Sequence, residues 1–345
     1  MGKYSGIGIS GTASYAPKKQ IMTRSVMDQY GFTEDYISNI GIDKIHVSGD
    51  REYPTDMAIY AAKDAIADAG IDPADIDVVI YSYGGFPEYF MWAEYARVQH
   101  EIGAVNAVSL RYDQACNAQI IALEYAVSKI KADDHINNIL IVSADMFQEP
   151  IVDRWKAADA CIWGDGASAA VVSRGVTDHE ILEVVNLTDG ELNHLWRIPV
   201  GGTVKPLKPE HIDEGLFRID LNRFAMEYLK DDEERARVSS RIVRTNIETF
   251  DRLMQKIGRE KEDVNKIVTY NVGKYIIENI SKSLGCDLAD TSWMYGSQHG
   301  HMGPADIFFN FDQMRKNRKF DSGDLVVLFS AGTGFSTASA AIQFK

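Results

Sequence analysis

Three cysteines (Cys116, Cys161 and Cys286) and eight histidines carry the readiest nucleophilic and acid–base chemistry in this 345-residue chain. Their spacing gives no CxxC pair, no HExxH and no paired-cysteine zinc pattern. Neither a disulfide framework nor a metal centre is expected. Cys116 has the setting of a nucleophile. It lies in AVSLRYDQACNAQIIALEYAVSKI, where strand-like AVSL leads through residues 111–115 into the helical run IIALEYAVSKI. A cysteine at a helix start meets the helix dipole and free backbone N–H groups, which favour a thiolate. The same amides can hold the oxyanion of a tetrahedral intermediate. A small buried side chain would suit the turn equally well, and the turn alone does not separate the two readings.

The elements needed to hold such a turn occur twice. In the first copy an amphipathic helix over residues 55–69 ends at Gly70 and leads through DPADID into the strand VVIYSYGG. In the second, ETFDRLMQKI ends at Gly258 and leads through REKEDVN into KIVTYNVG. Gly70 and Gly258 are 188 residues apart, as are Asp75 and Asp263. Each glycine falls where a helix C-cap is expected, and each acidic linker precedes a buried strand. The copies also close alike, with GDGASAAVVSR at 164–174 and GTGFSTASAAIQF at 332–344. Strand-like NNILIVSAD (137–145) and GDLVVLFSAG (323–332) complete the alternation. Such a pattern predicts an α/β fold with mainly parallel sheets covered by helices. Residues 1–175 and 241–345 are read as the two halves. Residues 176–240, ending in the charged LKDDEERARVSSR, are read as a connection that shapes the pocket.

With 50 acidic against 36 basic residues the net charge is −14, and no basic face for nucleic acid is expected. The dense basic run Arg315, Lys316, Arg318 and Lys319 reads as a solvated helix end. Its sharper alternative is a docking patch for an acidic carrier protein. No apolar run reaches the roughly 18 residues of a membrane span. The N-terminal residues lack the apolar core of a signal peptide. A cytoplasmic protein without membrane contact is the expectation.

From DQAC at 113–116 onward the motifs gain a common meaning. WGDGASAAVV from Trp163, TDGEL at 188–192, QHGH at 298–301 and AGTGF at 331–335 follow in fixed order. In that order and spacing the chain resembles the thiolase superfamily, in its ketoacyl synthase III branch, over nearly its whole length. The resemblance implies a thiolase-like, five-layered αβαβα fold built from two duplicated βαβαβαββ halves, usually as a homodimer. It implies that Cys116 takes an acyl group as a thioester from acyl-CoA or a phosphopantetheinyl acyl carrier protein, with no bound cofactor. Phe86 would lie near the dimer interface and the acyl pocket. His194 would fall in the acyl pocket, as a satisfied histidine or as a polar contact to substrate. The N–H groups of Cys116 and of the turn Gly332, Thr333 and Gly334 would hold the oxyanion.

Two departures fall on the residues that do the chemistry. Condensing relatives pair the cysteine with a histidine and an asparagine. Here Tyr270 stands in the histidine's place, Gly273 replaces the asparagine of the same stretch, and His301 replaces the catalytic asparagine. Tyr270 can donate a hydrogen bond but is a poor acid–base group near neutral pH, which leaves His301 as the base. One cysteine and one histidine suffice to pass an acyl group to a hydroxyl, an amine or a carrier thiol. Such transfer to a small-molecule acceptor or carrier, in polyketide-type secondary metabolism, is the leading expectation. Decarboxylative condensation with a remodelled triad is the alternative, and a non-catalytic ketosynthase-like subunit is the alternative from another class. His299 reads as structural. Asp306 reads first as an acid suited to a helix start, with orientation of His301 as the second possibility. Tyr36 and Asn39 stand where coenzyme A-using relatives clamp the adenine with tryptophan and arginine, which favours a carrier protein as donor.

Overall fold

The two copies of the strand–helix pattern fold into two similar parts of one nine-stranded sheet, in a computed structural model that describes residues 4–345. The strands are β1 (Ile7–Tyr15), β2 (Lys19–Met22), β3 (Lys44–Val47), β4 (Val78–Ser82), β5 (Val108–Arg111), β6 (Asn138–Asp145) and β7 (Gly166–Arg174). They continue with β8 (His179–Thr188), β9 (Lys266–Thr269), β10 (Leu325–Gly332) and β11 (Ser336–Phe344). The sheet order is β5-β4-β6-β7-β1-β8-β11-β10-β9, with β2 and β3 forming a separate pair. In the first part β5, β4 and β6 run parallel, and β7 and β1 follow antiparallel. The second part repeats this: β9 is parallel to β10, and β11 and β8 follow antiparallel. Thr291 adds an isolated parallel bridge to Ile267 at the edge that corresponds to β5. The two parts of the sheet are joined by a short antiparallel pairing of β1 with β8, at Gly8 and Glu180.

Five helices matter for the site: α1 (Pro54–Ala69), α2 (Ala118–Ala132), α3 (Asp232–Ile257), α4 (Lys274–Ser283) and α5 (Asp306–Lys316). α1 packs on β1 and β7, and α3 packs on β8 and β11. α2 and α5 each touch strands of both parts and form the central layer. Their sequences explain the placement. α1 buries one stripe (Met57, Ala58, Ala61, Ala62, Ala65), as a helix with one wet face must. α5 is buried almost all round, through Ile307, Phe308, Phe309, Phe311 and Met314. Each such side chain contributes about 1.5–3 kcal/mol of transfer free energy. The repeat glycines act alike: Gly70 and Gly258 both end their helices with φ of 67°, a left-handed conformation that suits glycine.

The segment 176–240 departs from its reading as a connection. It supplies β8, which lies between β1 and β11. Its charged end is the start of α3, capped by the Asp231 side chain, which accepts from the Glu234 N–H. Asp232, Glu233 and Glu234 occupy the first turn, where the dipole favours acids, so a charged stretch that looks like a loop is a helix N-terminus. Among the described residues, no helix is long and apolar enough to cross a membrane.

Candidate active site

The chain leaves β5 through a tight turn in which Ala115 has φ of 48°, then makes one 3₁₀ turn, Ala115–Asn117, before entering α2. A left-handed alanine costs about 1–3 kcal/mol, which the surroundings must offset. Part of that support is a hydrogen bond from the Ser330 hydroxyl of β10 to the Cys116 carbonyl, at 3.0 Å. Cys116 is half-buried at this turn.

His301 comes to the cysteine from the second half of the chain, with its Nε2 3.1 Å from Cys116 Sγ. The other ring nitrogen, Nδ1, lies 2.5 Å from Asp306 Oδ2 at the first residue of α5. Asp306 Oδ2 also accepts the Asn271 N–H at 2.7 Å, and Oδ1 accepts from Met302 N at 2.8 Å and Asn271 Nδ2 at 3.0 Å. These bonds go beyond a helix-start acid: they orient the imidazole. The His301 backbone is fixed by a donation to Ile162 O at 2.8 Å and by the Gly164 N–H at 3.0 Å. Burial acts to lower the His301 pKa, but Cys116 and Asp306 together outweigh it and hold it well above the ordinary histidine value.

Gly164 makes this approach possible, because a Cβ there would lie 2.1 Å from the His299 carbonyl oxygen. Gly164→Ala should therefore lower stability by about 2 kcal/mol or more in urea denaturation, and should slow reaction of Cys116 with an acyl thioester.

Tyr270 faces His301 edge-on, with ring centroids 6.4 Å apart. Burial, helped by Cys116, raises its hydroxyl well above the usual tyrosine value, so it stays a neutral donor. Asp145, at the end of β6, accepts the N–H groups of Gly84 and Gly85 at 2.8 Å each. Burial raises its carboxyl to about 7. It thereby anchors the segment that carries Phe86.

A cavity of about 660 Å³ opens beside the cysteine, with Phe86, Cys116, Tyr270, His301, Gly332 and Thr333 in its wall. Gly334, of the same turn, is exposed outside that wall. His194 does not enter the pocket, contrary to expectation. Leu192 and Leu195 turn inward against Val238 and Phe335, which leaves His194 exposed with its Nδ1 accepting from Arg197 at 2.9 Å. Trp196, Arg197 and Ile198 line the cavity instead. His299 stacks on His46 at 4.8 Å and bonds Tyr295 O, and burial lowers its pKa to about 4. Tyr36 packs on Phe32 at 4.6 Å, away from the cavity wall, and Asn39 is exposed. In the basic run, Arg315 is tied to Asp68 and Lys316 to Asp312, so two of its four charges are already paired.

Sequence reasoning did not place Trp163 against the His301 ring, at 4.8 Å, or Cys161 in the cavity wall. Burial pushes the Cys161 thiol up to about 12. Both precede a glycine-rich strand start, and that signal marks the strand without showing what it faces.

A duplicated sheet with a central helical layer, and a cysteine at the start of one central helix, is a thiolase-like fold. The description 3-Oxoacyl-[acyl-carrier-protein (ACP)] synthase III matches residues 112–190, and its C-terminal counterpart matches residues 254–344. Over these residues the chain is similar to the ketoacyl synthase III family. It is 28% identical over 347 residues to a beta-ketoacyl-[acyl-carrier-protein] synthase III of Clostridium botulinum, covering 99% of each chain. Among solved structures it is similar to the acyltransferase ChlB3, with a TM-score of 0.86 and 22% identity over 98% of this chain and 97% of that one. It is likewise similar to the 3-oxoacyl-[acyl-carrier-protein] synthase III of Aquifex aeolicus. There the TM-score is 0.81, at 22% identity over 98% of this chain and 100% of that one.

Proposed function

We propose that the protein is an acyltransferase that carries an acyl group on Cys116 and passes it to a hydroxyl, an amine or a carrier thiol. The observation that supports this reading is the hydrogen-bonded line Cys116–His301–Asp306. His301 takes the thiol proton, and the thiolate attacks the carbonyl carbon of an acyl-CoA or acyl-carrier-protein thioester. The Cys116 and Thr333 amides hold the oxyanion, and collapse expels the donor thiolate, which takes the proton from His301. In the second half-reaction His301 deprotonates the acceptor, the acceptor attacks the acyl carbon, and the carbon–sulfur bond to Cys116 breaks. The returning thiolate recovers its proton from His301. Nothing in this cycle needs an enolate or a second acid–base group, so Tyr270 in place of the family's histidine is tolerated.

The relatives' names favour a second reading, decarboxylative condensation, in which Tyr270 and His301 would hold the enolate oxygen. One experiment separates the readings. Incubation with a panel of acyl-CoA and acyl-carrier thioesters should add one acyl mass to the intact protein, and Cys116→Ala should abolish it. Full transfer activity in Cys116→Ala would sink the acyl-enzyme reading. Carbon dioxide release from a malonyl thioester, dependent on Cys116, would favour condensation.

A further inference from the structure

Among the described residues, Arg197 is, apart from His301, the one ionisable side chain of basic type in the wall of the cavity that holds Cys116, and no aspartate or glutamate lines it. Among the described residues its guanidinium has one hydrogen-bond partner, His194 Nδ1 at 2.9 Å, and no carboxylate. A guanidinium only donates, so that Nδ1 accepts and the His194 proton sits on Nε2. The pair therefore carries an uncompensated positive charge. Arg97, Arg111, Arg154 and Arg241, by contrast, each hold an acid. Arg197 lies exposed at that wall, next in the chain to Trp196. Trp196 packs on Phe335 at 6.2 Å, and Phe335 follows the turn whose Gly332 lies against Gln114 and Asn117, on either side of Cys116.

A mainly apolar cavity with one guanidinium that no carboxylate neutralises suits a substrate with one anionic oxygen group. We propose that Arg197 recognises a free carboxylate on the substrate, so that either the acyl group carries a second, unesterified carboxylate or the acceptor carries one. The inference rests on reading Cys116 as the acyl carrier. Pairing with a guanidinium also stabilises a carboxylate in the ground state, which opposes its loss as carbon dioxide and fits transfer of an intact acyl group.

Matched substrates test the proposal. Succinyl-CoA and butyryl-CoA have equal chain lengths and differ in the terminal carboxylate. Their affinities for the Cys116→Ala protein, measured by calorimetry, do not depend on acyl transfer. Lactate and lactamide, offered to butyryl-loaded protein, make the matching acceptor pair, with loss of the adduct mass as readout. The carboxylate member should win about tenfold in one pair, as a charge-assisted hydrogen bond allows. The pair that responds identifies the carboxylate's source. Arg197→Ala should bring that ratio to within about twofold of unity, and Arg197→Lys should retain part of it. No preference in either pair, or one that survives Arg197→Ala, would overturn the proposal. An equal loss of affinity for both coenzyme A thioesters would overturn it too, since Arg197 would then be holding the coenzyme phosphates. Failure of Cys116 to take any acyl group would sink the acyl-carrier reading alone, because donor binding is measured without that cysteine.

Discussion

His301→Ala should slow acylation of Cys116 by about a thousandfold, within the range for loss of a positioned base. His301 Nε2 is 3.1 Å from Sγ, and Tyr270 is held as a neutral donor, so no second base is at hand. Rapid-quench mass measurement of the acyl adduct reads the rate directly. His301→Asn sharpens the test, because it restores the residue type that condensing relatives carry there. If His301 is the base for transfer, His301→Asn is as slow as His301→Ala. If the site condenses instead, His301→Asn keeps much of the rate of carbon dioxide release from a malonyl thioester, since an asparagine still donates to an enolate oxygen. The pH dependence of stability carries an independent sign. The His301 pKa is raised in the folded state, so its protonation stabilises the fold below the ordinary histidine value of about 6.5. That contribution is lost as pH rises through the folded value. The stability gap between wild type and His301→Ala, measured in urea, should narrow over the same rise.

The fold is readable in the chain to the extent that local signals repeat. Gly70 and Gly258 announce equivalent helix ends because a left-handed cap wants glycine whatever surrounds it. The strands of β4, β6, β9 and β10 are visible because both faces are mostly buried and each has an unbroken apolar run (VVIY, ILIV, IV and LVVLF). β8 is less visible. Glu180, Glu183 and Asn186 interrupt its apolar run, although it is central to the sheet. At the site, Cys116 is marked by its own turn, and His301 by a motif in a known order. Asp306 is ambiguous in sequence, since a helix start and a histidine both welcome an acid at that position. Only the fold shows that its two oxygens meet His301, Asn271 and Met302 together. His194 misleads for the opposite reason. Its neighbours Leu192 and Leu195 take the buried positions, and a turn cannot bury consecutive faces at once.

Asp306→Asn should cost about a hundredfold to ten-thousandfold in the acylation rate, the scale seen when a base loses its orienting carboxylate. Asp306 does not touch the substrate in the proposed mechanism; it acts through His301 as a positioning residue. An asparagine there keeps one acceptor oxygen, yet three backbone and side-chain donors and the imidazole compete for it. Its NH₂ group would face a donor, and the ring would lose its fixed tautomer. A purely structural role would lower the rate without moving the pH profile. A positioning role moves it. Asp306 is one of the groups that raise the His301 pKa, so removing the carboxylate lowers that pKa and shifts the acid limb of the acylation profile to lower pH. Asp306→Ala should show the same shift and, in addition, leave the Asn271 and Met302 donors buried without a partner. That loss should destabilise the fold by about 3–5 kcal/mol in urea. An unmoved acid limb in both variants would mean that Asp306 holds the loop and leaves the protonation of His301 to Cys116 alone.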